Sequence, residues 1–226
     1  MTDQTIRTFA TASKDALRKF VPTFLLQQRS IVLRLGPGAG RVYASLRLLD
    51  ALGVRTASQR LPPASARSFL FVCFGNIMRS TMAEFLMRKA VRELDPIQIA
   101  PVQIVSAGLH ASPGREAHPL AQEAALEIGV SLAQHRAKLL RREMVERADS
   151  VFAMDFQNKA ELLTLYPEAE EKIFMLSAYA EGPWRYREIP DPYLGDLETT
   201  RLCAKQLQAC IRNLIASTIL AASTGE

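Results

Sequence analysis

The chain alternates between short, continuously apolar runs and longer segments in which apolar residues recur every three or four positions. The four short runs are rich in β-branched and aromatic residues and predict buried strands. They span 68–74, 102–108, 150–155 and 172–179. The longer segments predict the helices that alternate with these strands. They span 80–94, 118–130, 156–166 and 196–222. This order predicts an α/β fold: a four-stranded parallel sheet with helices on both faces.

Charge divides the chain into two parts. Residues 1–67 hold 11 Lys and Arg against 3 Asp and Glu, a net charge of +8, whereas residues 68–226 carry a net charge of −3. The segment LPPASARS at 61–68 has the composition of a linker and lies where the sign changes. We therefore predict a basic, helical N-terminal extension at 1–66 and a separate domain at 67–226.

The extension mixes basic and apolar residues. Two stretches, 14–35 and 41–53, have helical character and are separated by GPGAG at 36–40. That sequence lacks the Gly-Lys-Ser/Thr ending of a phosphate loop, and Pro37 removes an amide donor, so a turn between two helices is favoured. We expect the apolar stripe to pack on the following domain, because short helices are marginally stable alone. Contact with a partner or a membrane surface stays open as an alternative.

Composition limits the classes of protein that fit. The chain has 226 residues, 48% of them hydrophobic, which suffices for a proper core. No apolar run is long enough to cross a bilayer, and the N-terminus lacks the pattern of a secretory signal. Three cysteines do not form a disulfide framework, so a cytoplasmic location is expected. The three histidines are scattered without metal-ligand spacing, and we expect neither a metal, an organic cofactor nor a nucleic-acid partner.

Residues 72–80, VCFGNIMRS, carry the first candidate chemistry. They join a predicted strand to a predicted helix, where free backbone N–H groups and the helix dipole favour an anion. A thiol in such an electropositive loop can be ionised at neutral pH and is then a good nucleophile, which suits Cys73. Arg79 can grip two phosphate oxygens, and Ser80 can donate to the sulfur when it leaves. The loop residues that would bind phosphate are Phe74, Gly75, Asn76, Ile77, Met78 and Ser80.

A reaction at phosphorus also needs an acid for the leaving oxygen. IPDPYLGD at 189–196 offers Asp191 in a Pro-rich loop before the last predicted helix. Asp155 is the last residue of the third predicted strand, where it either orients the site or caps the next helix; we favour the cap. His110 is a candidate for the pocket rim, and His135 is expected to be a structural hydrogen-bonding group.

The chain resembles the low-molecular-weight protein tyrosine phosphatases from residue 68 to about 215. The resemblance rests on VCFGNIMRS, VSAG at 105–108, HRAKLL at 135–140, VFAMD at 151–155 and DPYLGD at 191–196. It implies Cys73 as nucleophile, Arg79 as phosphate clamp, Asp191 as general acid, and Tyr193 as a wall of the pocket mouth. Three positions depart from the family's common pattern: Met78, where a second cysteine is common, Thr81, where proline is common, and Leu194, where a second aromatic residue is common.

The sequence therefore predicts a phosphoric monoester hydrolase that hydrolyses phosphotyrosine in proteins through a phosphocysteine. The resemblance also implies, as one partner, a bacterial tyrosine kinase of polysaccharide export. Two alternatives remain: a phosphate-binding module without catalysis, and an arsenate reductase of the same fold. The reductase would need two further cysteines, and Cys203 and Cys210 lie after the Asp191 loop, a position that looks wrong for relay to Cys73. Because every candidate catalytic residue follows Ser68, deletion of 1–66 is expected to leave the chemistry intact.

Overall fold

A four-stranded sheet forms the centre of the computed structural model, which describes residues 23–54, 61–94, 101–185 and 187–221. The strands are β1 (Ser68–Cys73), β2 (Gln103–Gly108), β3 (Ser150–Ala153) and β4 (Ile173–Met175). Their order is β2-β1-β3-β4, and every neighbouring pair is parallel. The predicted fold class is confirmed. The last strand is shorter than the predicted run at 172–179, because the chain turns into a 3₁₀ helix at Leu176–Tyr179.

The error in the last strand has a simple physical reason. The side chains of Leu176 to Tyr179 are all buried, as those of a central strand would be. A continuous apolar run reports burial and does not distinguish a strand from a short buried helix. The sequence pattern was therefore correct about the environment of these residues and wrong about their backbone.

Six α-helices within the described ranges cover both faces of the sheet. They are α1 (Thr23–Ala51), α2 (Arg79–Arg92), α3 (Pro119–Glu127), α4 (Arg142–Arg147), α5 (Phe156–Leu165) and α6 (Leu197–Ile215). Because successive side chains of a strand point to opposite faces, Phe69 and Phe71 join the core with α2, α3 and α6. Leu70 and Val72 join the core on the other face, which α1, α4 and α5 cover. No helix in the described part of the chain has the length and apolar character needed to cross a bilayer.

The extension contributes α1, which packs along α5. Its helical backbone is interrupted at Gly36, whose φ of 75° and ψ of 179° separate two helical segments. The predicted turn between two helices is therefore confirmed. Tyr43 and Leu46 of α1 are buried in the same core cluster as Ala160 and Leu162 of α5. The apolar stripe of the extension thus packs on the following domain.

Candidate active site

The loop between β1 and α2 forms the centre of the site. Cys73 is the last residue of β1, and Arg79 is the first residue of α2. Between them Asn76 adopts a left-handed backbone with φ of 52°. The loop lies against the end of β2, where a Cβ on Gly108 would come within 2.7 Å of the Phe74 carbonyl oxygen and 2.8 Å of the Asn76 amide nitrogen. Gly108 is therefore required for the close approach of these two backbones.

The side chain of Asn76 holds the loop in this shape. Its Nδ2 donates to the hydroxyls of Ser80 at 2.9 Å and Ser106 at 2.8 Å, and its Oδ1 accepts from the Lys138 amide at 2.8 Å. His135 Nε2 donates to the Asn76 carbonyl at 2.7 Å. Burial lowers the pKa of His135, which favours the neutral ring for this structural bond. Since Asn76 is fully buried, each of these bonds is costly to lose.

A second layer of polar residues supports Asn76 from behind. Ser106 donates to Glu84 Oε2 at 2.5 Å, and Arg88 Nε donates to Glu84 Oε1 at 2.9 Å. Glu84 is buried on the face of α2 that packs against the sheet. We did not single out Glu84 or Ser106 from the sequence. The sequence offered one indication of Glu84, its spacing of four residues from Arg88 on a predicted helix. Such pairs are common on exposed helix faces, so this spacing does not indicate a buried site.

The Asn76 bonds predict a measurable effect. We expect Asn76→Ala to lower the free energy of unfolding by about 2–4 kcal/mol, because three buried hydrogen-bonding groups lose their partner. The misplaced loop should also lower kcat/KM for an aryl phosphate by roughly 10²-fold. Urea unfolding and steady-state kinetics measure both quantities.

Asn76→Gly is the matched control, since it loses the same bonds but accepts a positive φ without strain. It should be less destabilised than Asn76→Ala. An Asn76→Ala variant with wild-type stability and activity would show that the side chain does not hold the loop.

The nucleophile candidate lies at the floor of the loop. Cys73 Sγ is 3.0 Å from Ser80 Oγ, and both atoms are buried. Ser80 Oγ accepts from Asn76 Nδ2, so its own hydrogen can point at the sulfur at 3.0 Å or at the more distant Ala107 carbonyl at 3.4 Å. The arrangement supplies a hydrogen bond that stabilises negative charge on the sulfur.

Arg79 connects the loop to the rest of the site. Its guanidinium is almost fully buried and donates through Nη1 to Asp155 Oδ2 at 2.5 Å and through Nη2 to Asp191 Oδ2 at 2.7 Å. Nη1 also donates to the carbonyl of Ile189 at 3.1 Å. Burial acts to lower the pKa of Arg79, but the charges of Asp155, Asp191 and Cys73 outweigh it and raise the pKa. The guanidinium is thus a permanent cation in a fixed orientation.

Asp155 has two roles in the structure, of which the sequence interpretation favoured only one. Its Oδ1 accepts from the Asn158 amide at 2.7 Å, which is the predicted helix cap for α5. Its other oxygen is the buried partner of Arg79. The preference for the cap alone was therefore incomplete. The carboxylate of Asp155 therefore both orients Arg79 and caps the start of α5.

Asp191 differs from Asp155 in its exposure. The side chain of Asp191 is 42% exposed, against 12% for Asp155. It lies at the start of the short helix Pro192–Leu194, and its Oδ1 accepts weakly from the Tyr193 amide at 3.3 Å. A half-exposed carboxylate can leave Arg79 at lower cost than a buried one, since water compensates it. Asp191 is therefore the carboxylate whose separation from Arg79 would cost less.

A cavity of about 180 Å³ opens above the thiol. Its walls are mostly apolar and include Phe74, Ile77, Met78 and Tyr193. His110 also lines it, with its ring 4.6 Å from the Phe74 ring and its Nε2 2.5 Å from Glu161 Oε2. Most of the predicted loop and rim residues thus line one cavity, but Asn76 and Ser80, which were also predicted to bind phosphate, are fully buried behind the loop and do not line it. The described residues contain no cluster of three or more His, Cys, Asp or Glu that could hold a metal.

The extension contacts the segment that carries Asp191. Arg47 of α1 lies 2.6 Å from Glu188 Oε2, and Glu188 Oε1 accepts from the Phe156 amide of α5 at 2.8 Å. Burial raises the pKa of Glu188, and the Phe156 amide and Arg47 oppose that shift. The next residue, Ile189, donates its amide to the Met154 carbonyl at 2.8 Å. The chain just before Asp191 is therefore held on both sides.

Comparison with known proteins gives consistent matches. A family model described as low molecular weight phosphotyrosine protein phosphatase matches residues 68–223. A protein-arginine-phosphatase of Bacillus subtilis is 34% identical over 145 residues, which are 64% of this chain and 92% of that protein. A probable low molecular weight protein-tyrosine-phosphatase, EpsP of Ralstonia nicotianae, is 32% identical over 142 residues, 63% of this chain and 89% of the relative. The crystal structure of the Erwinia amylovora tyrosine phosphatase amsI superimposes with a TM-score of 0.60 at 27% identity and covers 68% of this chain and 93% of that one.

Proposed function

Because the chain belongs to the low molecular weight phosphotyrosine protein phosphatase family, we propose that it hydrolyses phosphotyrosine in proteins with Cys73, Arg79 and Asp191 as its catalytic residues. The observation that carries these roles is the position of Arg79, which lies between the thiol loop and the Asp191 loop and is bonded to both acidic residues of the site. No other arginine in the described ranges is as deeply buried beside a thiol.

The reaction begins when the substrate's phosphate enters the loop. The dianion competes with Asp191 for Arg79, and Asp155 stays bonded because it is the less exposed of the two carboxylates. The loop amides and Arg79 then hold the phosphate oxygens as charge develops on them. Asp191 is released towards the bridging oxygen, where it can act as an acid once protonated.

Two displacements complete the turnover. The sulfur of Cys73 forms a bond to phosphorus while the bond to the tyrosine oxygen breaks, and Asp191 gives its proton to that oxygen. Asp191, now a carboxylate, takes a proton from water as the water oxygen bonds to phosphorus. The sulfur–phosphorus bond breaks, with Ser80 Oγ, 3.0 Å away, donating to the departing sulfur. Inorganic phosphate leaves and the enzyme is restored.

The walls of the cavity favour an aryl phosphate over phosphoarginine. Phe74, Ile77 and Tyr193 suit a neutral ring, whereas the leaving guanidine of phosphoarginine is strongly basic and would gain from nearby carboxylates. Asp191 is the sole carboxylate among the residues that line this cavity, and it shares the lining with the cations of Arg79 and Arg115. A cationic leaving group would therefore meet like charge.

Two peptides of identical sequence, one with phosphotyrosine and one with phosphoarginine, test this choice. We expect kcat/KM to be at least about tenfold higher for phosphotyrosine, the size of a difference of roughly 1.4 kcal/mol in transition-state binding. Phosphate release with wild type and Cys73→Ser measures specific turnover. Faster turnover of phosphoarginine would assign the chain to the activity named for the Bacillus subtilis relative.

The burial of the other two thiols argues against the arsenate reductase alternative. Cys203 and Cys210 are both buried in α6, and burial raises the pKa of each to about 12. A protonated thiol is a poor nucleophile, so neither is suited to attack an oxidised Cys73.

Location, domain boundaries and substrate protein remain proposals. We place the enzyme in the cytoplasm, where a free catalytic thiol is kept reduced. We divide the chain into an extension at 1–66 and a catalytic domain at 67–226, and the family match from residue 68 supports that division. The substrate is a phosphoprotein, and its finer identification as a bacterial tyrosine kinase of polysaccharide export rests on the family resemblance.

A further inference from the structure

A second pocket lies beside the first, on the opposite side of Asp191 and Tyr193. It has a volume of about 290 Å³ and shares part of its wall with the first pocket, including Phe74 and Arg79. Its remaining wall comes from α1, from the start of α5 and from Leu194. A peptide whose phosphotyrosine occupies the first pocket must continue over this rim, so the second pocket lies within reach of a neighbouring side chain.

The extension supplies an exposed cation of this second pocket that is in no ion pair among the described residues. Arg34 of α1 lines it, is exposed, and donates through Nη2 to Gln157 Oε1 at 2.6 Å. That amide oxygen is neutral and leaves the charge of Arg34 in place. The two carboxylates in the wall, Asp155 and Asp191, are already bonded to Arg79. The four charged residues of the wall sum to zero, and Arg34 is the one among them that has no partner of opposite charge in the described part of the chain.

One other wall residue is suited to hold a peptide. Leu194 is 95% exposed at the rim. A large apolar side chain that projects fully into water offers surface that a bound peptide can cover.

We propose that this second pocket binds an anionic side chain next to the phosphotyrosine of the substrate, with Arg34 as its cation. The proposal rests on the proposed phosphotyrosine phosphatase function. It makes the extension, which lies outside the family match, a determinant of which phosphoproteins are turned over quickly. Arg34 is a specificity residue here and takes no part in the chemical steps.

The test compares kcat/KM for phosphotyrosine peptides that differ only in their neighbouring residues. One peptide carries Glu on both sides of the phosphotyrosine, one carries Gln, one carries Lys, and a fourth carries phosphoserine in place of Glu. We expect wild type to prefer the Glu peptide over the Gln peptide by about two- to fivefold, as for an exposed ion pair. The phosphoserine peptide should be preferred at least as strongly, and both preferences should shrink at high salt.

Variants of one position separate charge from other effects. Arg34→Ala should bring the Glu-to-Gln ratio close to one, Arg34→Lys should retain the preference, and Arg34→Glu should favour the Lys peptide. Arg29→Ala is the matched control, because Arg29 is an exposed arginine of the same helix that lines neither pocket. It should keep the wild-type ratio.

Two failures can be told apart. If wild type does not hydrolyse any of the phosphotyrosine peptides, the proposed function is wrong. If it hydrolyses them all but the Glu-to-Gln ratio is the same in wild type, Arg34→Ala and Arg29→Ala, the function stands and the role of Arg34 is overturned. Equal loss of the preference in Arg34→Ala and Arg29→Ala would also overturn it, since net charge alone would then explain the effect.

Discussion

Replacement of Cys73 with Ser is expected to lower phosphatase turnover by roughly 10⁴-fold or more, as for loss of the nucleophile in other covalent enzymes. A serine hydroxyl is a weak nucleophile without a base, and the hydroxyl of Ser80 beside it is no base. The loop amides and Arg79 are unaffected, so the variant should still bind inorganic phosphate. Steady-state kinetics with p-nitrophenyl phosphate and calorimetry with phosphate measure the two properties.

Cys73→Ala serves as the control for the covalent step. It cannot accept a phosphoryl group, whereas Cys73→Ser can be phosphorylated slowly and should then gain the mass of one phosphoryl group in an intact-mass spectrum. Substantial turnover by Cys73→Ala would mean that water attacks phosphorus directly, and the phosphocysteine mechanism would be wrong.

Replacement of Asp191 with Asn is expected to lower kcat by ~10²–10⁴-fold, the range for loss of a positioned acid. Asn has nearly the same shape and can still accept a hydrogen bond from Arg79, so the loop should keep its position. The loss should depend on the leaving group. Tyrosine phenol has a pKa of about 10 and needs the proton, whereas the more acidic p-nitrophenol needs it less.

The dependence on the leaving group is therefore the diagnostic measurement. Kinetics of wild type and Asp191→Asn should be compared over a series of aryl phosphates, with an alkyl phosphate as the extreme case. An equal loss for every substrate would show that Asp191 has a structural role only. Asp155→Asn provides the contrast, since Asp155 holds Arg79 without reaching the leaving group in the proposed mechanism, and its loss should not follow leaving-group acidity.

The sequence was sufficient to predict the centre of the site because that centre is local. Cys73, Arg79 and Ser80 lie on one loop whose flanking strand and helix both have clear apolar patterns. A strand followed by a helix in a parallel sheet puts such a loop at the edge where ligands bind. Asp191 could be added because a reaction at phosphorus needs an acid, and a Pro-rich loop before the last helix offered one.

Other parts of the site could not be predicted, because distant segments form them. The second role of Asp155 depends on the approach of α2 to the end of β3, and no local pattern reports that distance. Arg34 and Arg47 looked alike in the sequence, as basic residues of the two helical stretches of the extension. Arg34 lies at a pocket rim, whereas Arg47 forms an ion pair with Glu188. Only the packing of α1 on α5 distinguishes the two positions.

The contact between Arg47 and Glu188 joins the extension to the part of the chain that matches the family. The family match begins at residue 68, which suggests a self-sufficient module that could be cut out of the chain. The contacts indicate instead that α1 belongs to the same packed unit: removal of α1 would leave the half-buried carboxylate of Glu188 without Arg47 and expose the apolar face of α5. Deletion of 1–66 is therefore not expected to leave the chemistry intact, in contrast to the expectation from the sequence. A helix that lies outside the family match thus helps to hold the segment that carries Asp191.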